Sequence, residues 1–127
     1  MNQAPDPFLR GLWLFRQGQE WEAHEVWEDL WRRAGDPERT LLKALIQVAA
    51  ARIHARQGHW RGVQGLLQRV ARYLQQVPPG TLGVDVLRLR QAVARALETA
   101  RHHEACHAPG QDLDLGIPLV DEPPKTP

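Results

Sequence analysis

Apolar side chains recur at intervals of three and four along most of the chain, the spacing that lines one face of an α-helix, and β-branched residues are few and never alternate over a run. This pattern predicts an all-α fold. A first helix starts with Asp6 as N-cap and Pro7 at the first helical position, then runs to Gly18, where glycine can take the left-handed stop conformation. A second spans about Gln19 to Ala34 and is closed by Gly35, and Asp36-Pro37 repeats the cap-plus-proline start for a third that extends to Gly58. A fourth runs from about His59 to Val77, Pro78-Pro79-Gly80 breaks the chain, and a fifth runs from Asp85 to about His107. After Pro109 the helical pattern stops. The expected architecture is a single compact bundle of about five helices built from helical hairpins, residues 1–107, with an extended acidic and proline-rich tail, residues 108–127, docked on it.

Two of the predicted junctions share a sequence. Arg16-Gln17-Gly18 and Arg56-Gln57-Gly58 are identical, and Trp21 or Trp60 follows each within three residues. The stretch from Phe15 to Ala23 also resembles the helix-turn-helix junction of tetratricopeptide repeats, in which glycine makes the turn, an aromatic follows and a small residue lets the helices approach. Val63 stands at the small position of the second copy. Two imperfect units are fewer than the roughly three that a solenoid needs, which favours hairpins packed into one bundle.

On a helical wheel the second helix places Ala23, Val26, Trp27, Leu30, Trp31 and Ala34 on one arc, its expected core face, with His24 and Glu28 at the margin and Glu22, Glu25 and Asp29 on the polar side. The third helix is apolar around most of its circumference and is therefore the expected central helix, yet Lys43, Gln47 and His54 share one stripe with Ala50 and Ala51 between them. The short Gly35-Asp36-Pro37 connection makes the two helices antiparallel, setting Gln47 opposite Glu25, Ala50 opposite Glu22, and His54 near Gly18 and Trp21. On this reading polar groups converge across an alanine-lined seam. They can form a hydrogen-bonded network that serves only the fold, or a site in which histidine flanked by carboxylates acts as base or acid, binds a small polar ligand or holds a divalent metal. His24, Glu28 and His54 are the candidate metal ligands. Glutamate occupies the place where a zinc-peptidase helix has its second histidine, and the paired Glu-x-x-His of di-iron bundles is absent.

Composition narrows the setting. A chain of 127 residues with 43% hydrophobic and 24% charged positions is the size of one domain. The single Cys106 excludes an internal disulfide, and no secretory leader pattern opens the chain, so a cytoplasmic setting is expected. The longest apolar stretch, Leu41 to Ile53, is interrupted by Lys43, Gln47 and Arg52 and is shorter than the roughly 20 residues of a membrane helix. The net charge of +1 hides an uneven distribution: residues 1–40 carry 5 basic and 8 acidic side chains, 41–107 carry 10 and 3, and 108–127 carry 1 and 4. Such a basic middle, rich in arginine, raises RNA binding as a weaker alternative and self-association as another. Near the end of the fifth helix, His102 with Cys106 and His103 with His107 stand one turn apart. Such pairs can hold zinc or nickel, but histidines at a helix C-terminus are accounted for by the dipole and the last carbonyls. In the tail, Ile117 and Leu119 alternate around Pro118 among acids, the pattern of an extended strip lying in a groove.

The run Gly18-x-x-Trp21-Glu22-Ala23-His24-Glu25-Val26-Trp27-Glu28-x-x-Trp31, followed by Leu45-Ile46-Gln47 and His54-Ala55-Arg56-x-Gly58, resembles the bacterial and archaeal domain-of-unknown-function family 309 from about Phe15 to Tyr73. Lys43-Ala44 stand where many members carry Gln-Gly. The resemblance implies a small all-helical fold, brings no established activity, and places the hallmark residues at Glu22, His24, Glu25, Glu28, Gln47 and His54. The sequence thus supports two main expectations: a Glu/His cluster between the second and third helices that binds a small ligand or divalent metal, or a non-catalytic helical module, joining a protein partner or a second copy, in which that cluster is structural.

Overall fold

The computed structural model describes residues 6–123. Five α-helices follow one another, α1 (Asp6–Arg16), α2 (Glu20–Arg33), α3 (Glu38–Arg56), α4 (Trp60–Leu74) and α5 (Val86–Ala105), with a 3₁₀ turn at Thr81–Gly83 between the last two. Each lies within a few residues of its expected span. The caps differ in detail. Asp6 sits inside the first turn of α1, whereas Pro37 takes the N-cap place of α3 after a cis Asp36–Pro37 peptide. Asp36 holds that first turn from outside, its carboxylate accepting from the Thr40 amide at 3.1 Å and the Thr40 hydroxyl at 2.6 Å.

The two Arg-Gln-Gly junctions are structural copies. Gly18 and Gly58 have φ of +80° and +75°, the left-handed region where a side chain is strained. Gln19 N–H donates to the Leu14 carbonyl and Gly18 N–H to Phe15, and His59 and Gly58 bond His54 and Ala55 in the same way. Each helix thus ends in a Schellman motif that reverses the chain.

Consecutive helices pack as hairpins, with α3 between α2 and α4 and eight of its residues buried. The core of the first hairpin is Trp27, fully buried between Phe8 and Phe15, its ring centroid 6.2 and 5.9 Å from theirs, with its indole N–H donating to the Phe8 carbonyl at 3.2 Å. Gly11 makes this possible: a Cβ there would overlap the Trp27 indole, whose Cδ1 would lie 2.6 Å away. Val26, Leu30, Trp31 and Ala34 are only half-buried, so the expected core arc of α2 is narrower than its wheel suggests.

The tail runs as an extended strip along the odd-numbered helices. Leu113, Leu115 and Ile117 are buried while Asp112, Asp114 and Gly116 are exposed, the period-two alternation of extended chain. It is held chiefly through its backbone. Gln111 N–H donates to Ala55, Arg52 donates to the Leu115 carbonyl at 3.0 Å, Arg16 to Ile117 at 3.0 Å, and Arg88 to Leu119 and Glu122, both at 2.9 Å. Leu119 pairs with Val84 in an isolated bridge, and the Trp60 indole donates to Ala108 at 2.9 Å. Among the described residues no helix is long and apolar enough to cross a membrane.

Candidate functional site

The polar centre between α2 and α3 is built on Glu20. It stands two residues after the stop glycine of α1, the place that Trp60 takes after Gly58, and both are buried, Glu20 with 1% and Trp60 with 3% of their surface exposed. A carboxylate in that position needs cations, and α3 supplies two, one turn apart. Arg52 Nε lies 2.9 Å from Glu20 Oε2, and Arg56 grips both carboxylate oxygens. Burial pushes the Glu20 carboxyl up, but the Arg56 hydrogen bond, its own backbone N–H and the charges of Arg52 and Arg56 outweigh it, so the pKa is lowered and the group is ionised at neutral pH. Arg52 also lies over the Phe15 ring, 4.2 Å from its centroid, while it holds the Leu115 carbonyl. One guanidinium therefore ties α1, α2, α3 and the tail together.

The residues expected to converge do not do so. Lys43 lies over the Tyr73 ring of α4 at 5.4 Å, the Gln47 amide oxygen accepts from Arg69 of α4 at 3.2 Å, and His54 packs with His59, ring centroids 5.7 Å apart, beside Gly62 of α4. The stripe faces α4 and not α2. The reason is angular: residues 52 and 54 are about 200° apart on a helix, so the side of α3 that carries Arg52 and Arg56 to Glu20 turns His54 and its stripe away. Glu22 and Glu25 are exposed. Glu22 borders a shallow cavity of about 370 Å³ with Glu20, Trp21 and Arg56.

His24 and Glu28 do meet, on the outer face of α2. Trp21, 62% exposed, stacks on His24 with rings 5.4 Å apart and nearly parallel. The His24 Nδ1 lies 3.6 Å from Glu28, beyond hydrogen-bond length, and Glu28 is engaged by Arg32 at 2.8 Å. The four form a surface ladder at i, i+3, i+7 and i+11. His24, Glu28 and His54 are thus a pair and a third residue on another face, and among the described residues no group of three or more His, Cys, Asp or Glu side chains is placed to hold a metal ion. This corrects the expected metal set.

At the far end of the bundle, His103 packs on the Trp60 ring at 4.6 Å, and Cys106 reaches only the His103 carbonyl, at 3.8 Å. Glu104 accepts from Arg61 and Gln64 and borders a cavity of about 470 Å³ with His59 and His107. Several arginines of the basic middle are engaged within the chain: Arg52 and Arg56 by Glu20, and Arg88 by Asp85 at 2.7 Å.

Sequence reasoning missed Glu20, Arg52 and Arg56. The available signal was an arginine pair at i, i+4 on the central helix, opposite a glutamate just inside a helix start. A comparison with curated proteins finds no match. Residues 8–66, from α1 into α4 and including Glu20, Arg52 and the whole surface ladder of α2, match the model of the Domain of unknown function DUF309. Over that segment, a little under half of its length, the chain is similar to this family.

Proposed function

We propose that the protein is a non-catalytic helical interaction module whose recognition surface is the outer face of α2, and that its partner there is a second copy of the chain. The observation that carries this reading is Trp21: an indole 62% exposed, stacked on His24 and continued along the helix by Glu28 and Arg32. Rigid amphipathic aromatics contribute large contact area at low entropic cost, which is why tryptophan is enriched at the centres of interfaces. The exposed Glu22 and Glu25 flank it with negative charge, whereas Asp29 is engaged by Arg33, and exposed arginines of α4 and α5, Arg72 and Arg90 among them, offer the opposite charge. Contact between two unlike faces is head-to-tail, so copies add in rings or open chains rather than stopping at a two-fold pair.

Sedimentation velocity from micromolar to near-millimolar protein tests this. The expected result is a weight-average mass that grows with concentration at low salt and falls with added salt. Trp21→Ala and, separately, Arg72→Glu should return the protein to monomer with the helical circular dichroism unchanged. A wild-type protein that stays monomeric at low salt and the highest concentration would overturn the reading.

A further inference from the structure

The groove that holds the tail is not filled. Between α1, α3, α5 and the strip lies a cavity of about 810 Å³, larger than the two described above and within the range of small-molecule sites. Arg16, Arg52, Arg88 and Arg95 border it from three different helices, and the half-buried Ala92 and Pro118 contribute apolar surface. Each of the first three spends two guanidinium nitrogens inside the chain: Arg16 NH1 and NH2 on Glu122 and Ile117, Arg52 Nε and NH1 on Glu20 and Leu115, Arg88 Nε and NH2 on Asp85, Leu119 and Glu122. Among the described residues Arg16 Nε, Arg52 NH2 and Arg88 NH1 meet no partner, and the Arg95 guanidinium has no ion pair or hydrogen bond. Asp114 of the strip and Glu122, which Arg16 binds, border the cavity as well, so the four arginines face two carboxylates there.

From this convergence we infer a binding site for a small amphiphilic anion, a carboxylate or phosphate head on a short apolar body. Guanidinium forks match the planar oxygens of such heads, and arginines already fixed by internal bonds lose little entropy in presenting their remaining donors. The apolar wall accounts for the body. Inorganic phosphate would use only the arginines, and a neutral alcohol of the same length only the wall. The site lies on the odd-numbered helices and is independent of the α2 face.

Isothermal titration calorimetry of the full-length protein tests the inference with four probes: hexyl phosphate, hexanoate, 1-hexanol and inorganic phosphate. Saturable one-to-one binding of hexyl phosphate or hexanoate is expected, the tighter one identifying the head group, with neither control saturating at the same concentration. Arg95→Ala, an exposed position, should weaken the binding about tenfold, the contribution of one charged hydrogen-bonding partner. Ala92→Phe, which fills the cavity without touching a charge, should abolish it while the circular dichroism stays native. The inference fails if no anion saturates up to millimolar concentration, if inorganic phosphate binds as tightly as hexyl phosphate, or if Arg95→Ala leaves the affinity unchanged in a folded protein.

Discussion

Replacing Gly11 with alanine sets two opposed effects against each other, and the structure decides the sign. Alanine in a helix interior is favoured over glycine by about 1 kcal/mol, so on propensity alone Gly11→Ala should stabilise α1. Its methyl group, however, would occupy the space of the Trp27 indole, and that ring cannot retreat, since it is fully buried between Phe8 and Phe15. Forcing an extra carbon into a packed core costs about 1–3 kcal/mol, and if the indole shifts far enough to lose its bond to the Phe8 carbonyl, a buried N–H is left unsatisfied at a further cost of about 1–3 kcal/mol. With both costs incurred the net expectation is a destabilisation of about 1–5 kcal/mol, or a fall of roughly 4–20 °C in melting temperature for a domain of this size. Gly65 is the internal control. It lies in the interior of α4, and an added Cβ would meet nothing within 4 Å, so Gly65→Ala should gain about 0.5–1 kcal/mol and melt higher than wild type. Thermal and urea unfolding followed by circular dichroism measures both. If Gly11→Ala melts at or above wild type while Gly65→Ala behaves as expected, the close approach of α1 to Trp27 is wrong.

Three further outcomes follow from the ion cluster and the tail. Glu20→Gln should destabilise by about 2–3 kcal/mol in urea melts, because Arg52 and Arg56 keep a hydrogen-bonding partner but lose its charge; an unchanged midpoint would show that the pair is solvated rather than buried. The Glu20, Asp85 and Glu122 carboxyls all have lowered folded pKa values, so they bind protons less readily in the native state. Their contribution is complete above the ordinary carboxylate range near 4.3 and is lost as pH falls through the lowered values; a pH series of melts should therefore drop below about pH 4, with the drop reduced in Glu20→Gln. Gly110→Ala should loosen the tail by at least about 2 kcal/mol, since the new methyl would collide with the Arg56 carbonyl on one side and lie 2.9 Å from Gly58 N on the other; a changed fluorescence of Trp60, whose indole bonds Ala108, would report it, and an unaltered spectrum and melt would count against this contact.

The helices were legible because glycine and proline punctuate a clear three-and-four spacing, and the repeated Arg-Gln-Gly marked two real chain reversals. The register of α2 against α3 was also legible: the tight connection that sets Ala50 opposite Glu22 sets Arg52 opposite Glu20, where the ion pair is found. The rotation of α3 was not. A helix that is apolar on nearly every side does not declare which side its neighbour takes, so Gln47 and His54 were assigned to α2 when they face α4. Trp21 misled in a related way. Aligned by its glycine, the buried position of the first repeat is Glu20, and the tryptophan one residue later points outward. The tail's alternation showed in Ile117 and Leu119, but its anchors did not, because main-chain carbonyls gripped by arginine leave no signature in the residues that own them.

The bond between Arg16 and Glu122 spans 106 positions, joining the first helix to the last described residues of the chain. During synthesis, α1 to α4 can form hairpins as they emerge, each needing only its predecessor, whereas this closure waits until Glu122 has been added. The nascent protein therefore passes through an interval in which Phe15 and the arginine row stand uncovered. A growing chain arrested just before Leu113 should be more readily cleaved near α1 by a protease than one extended past Glu122.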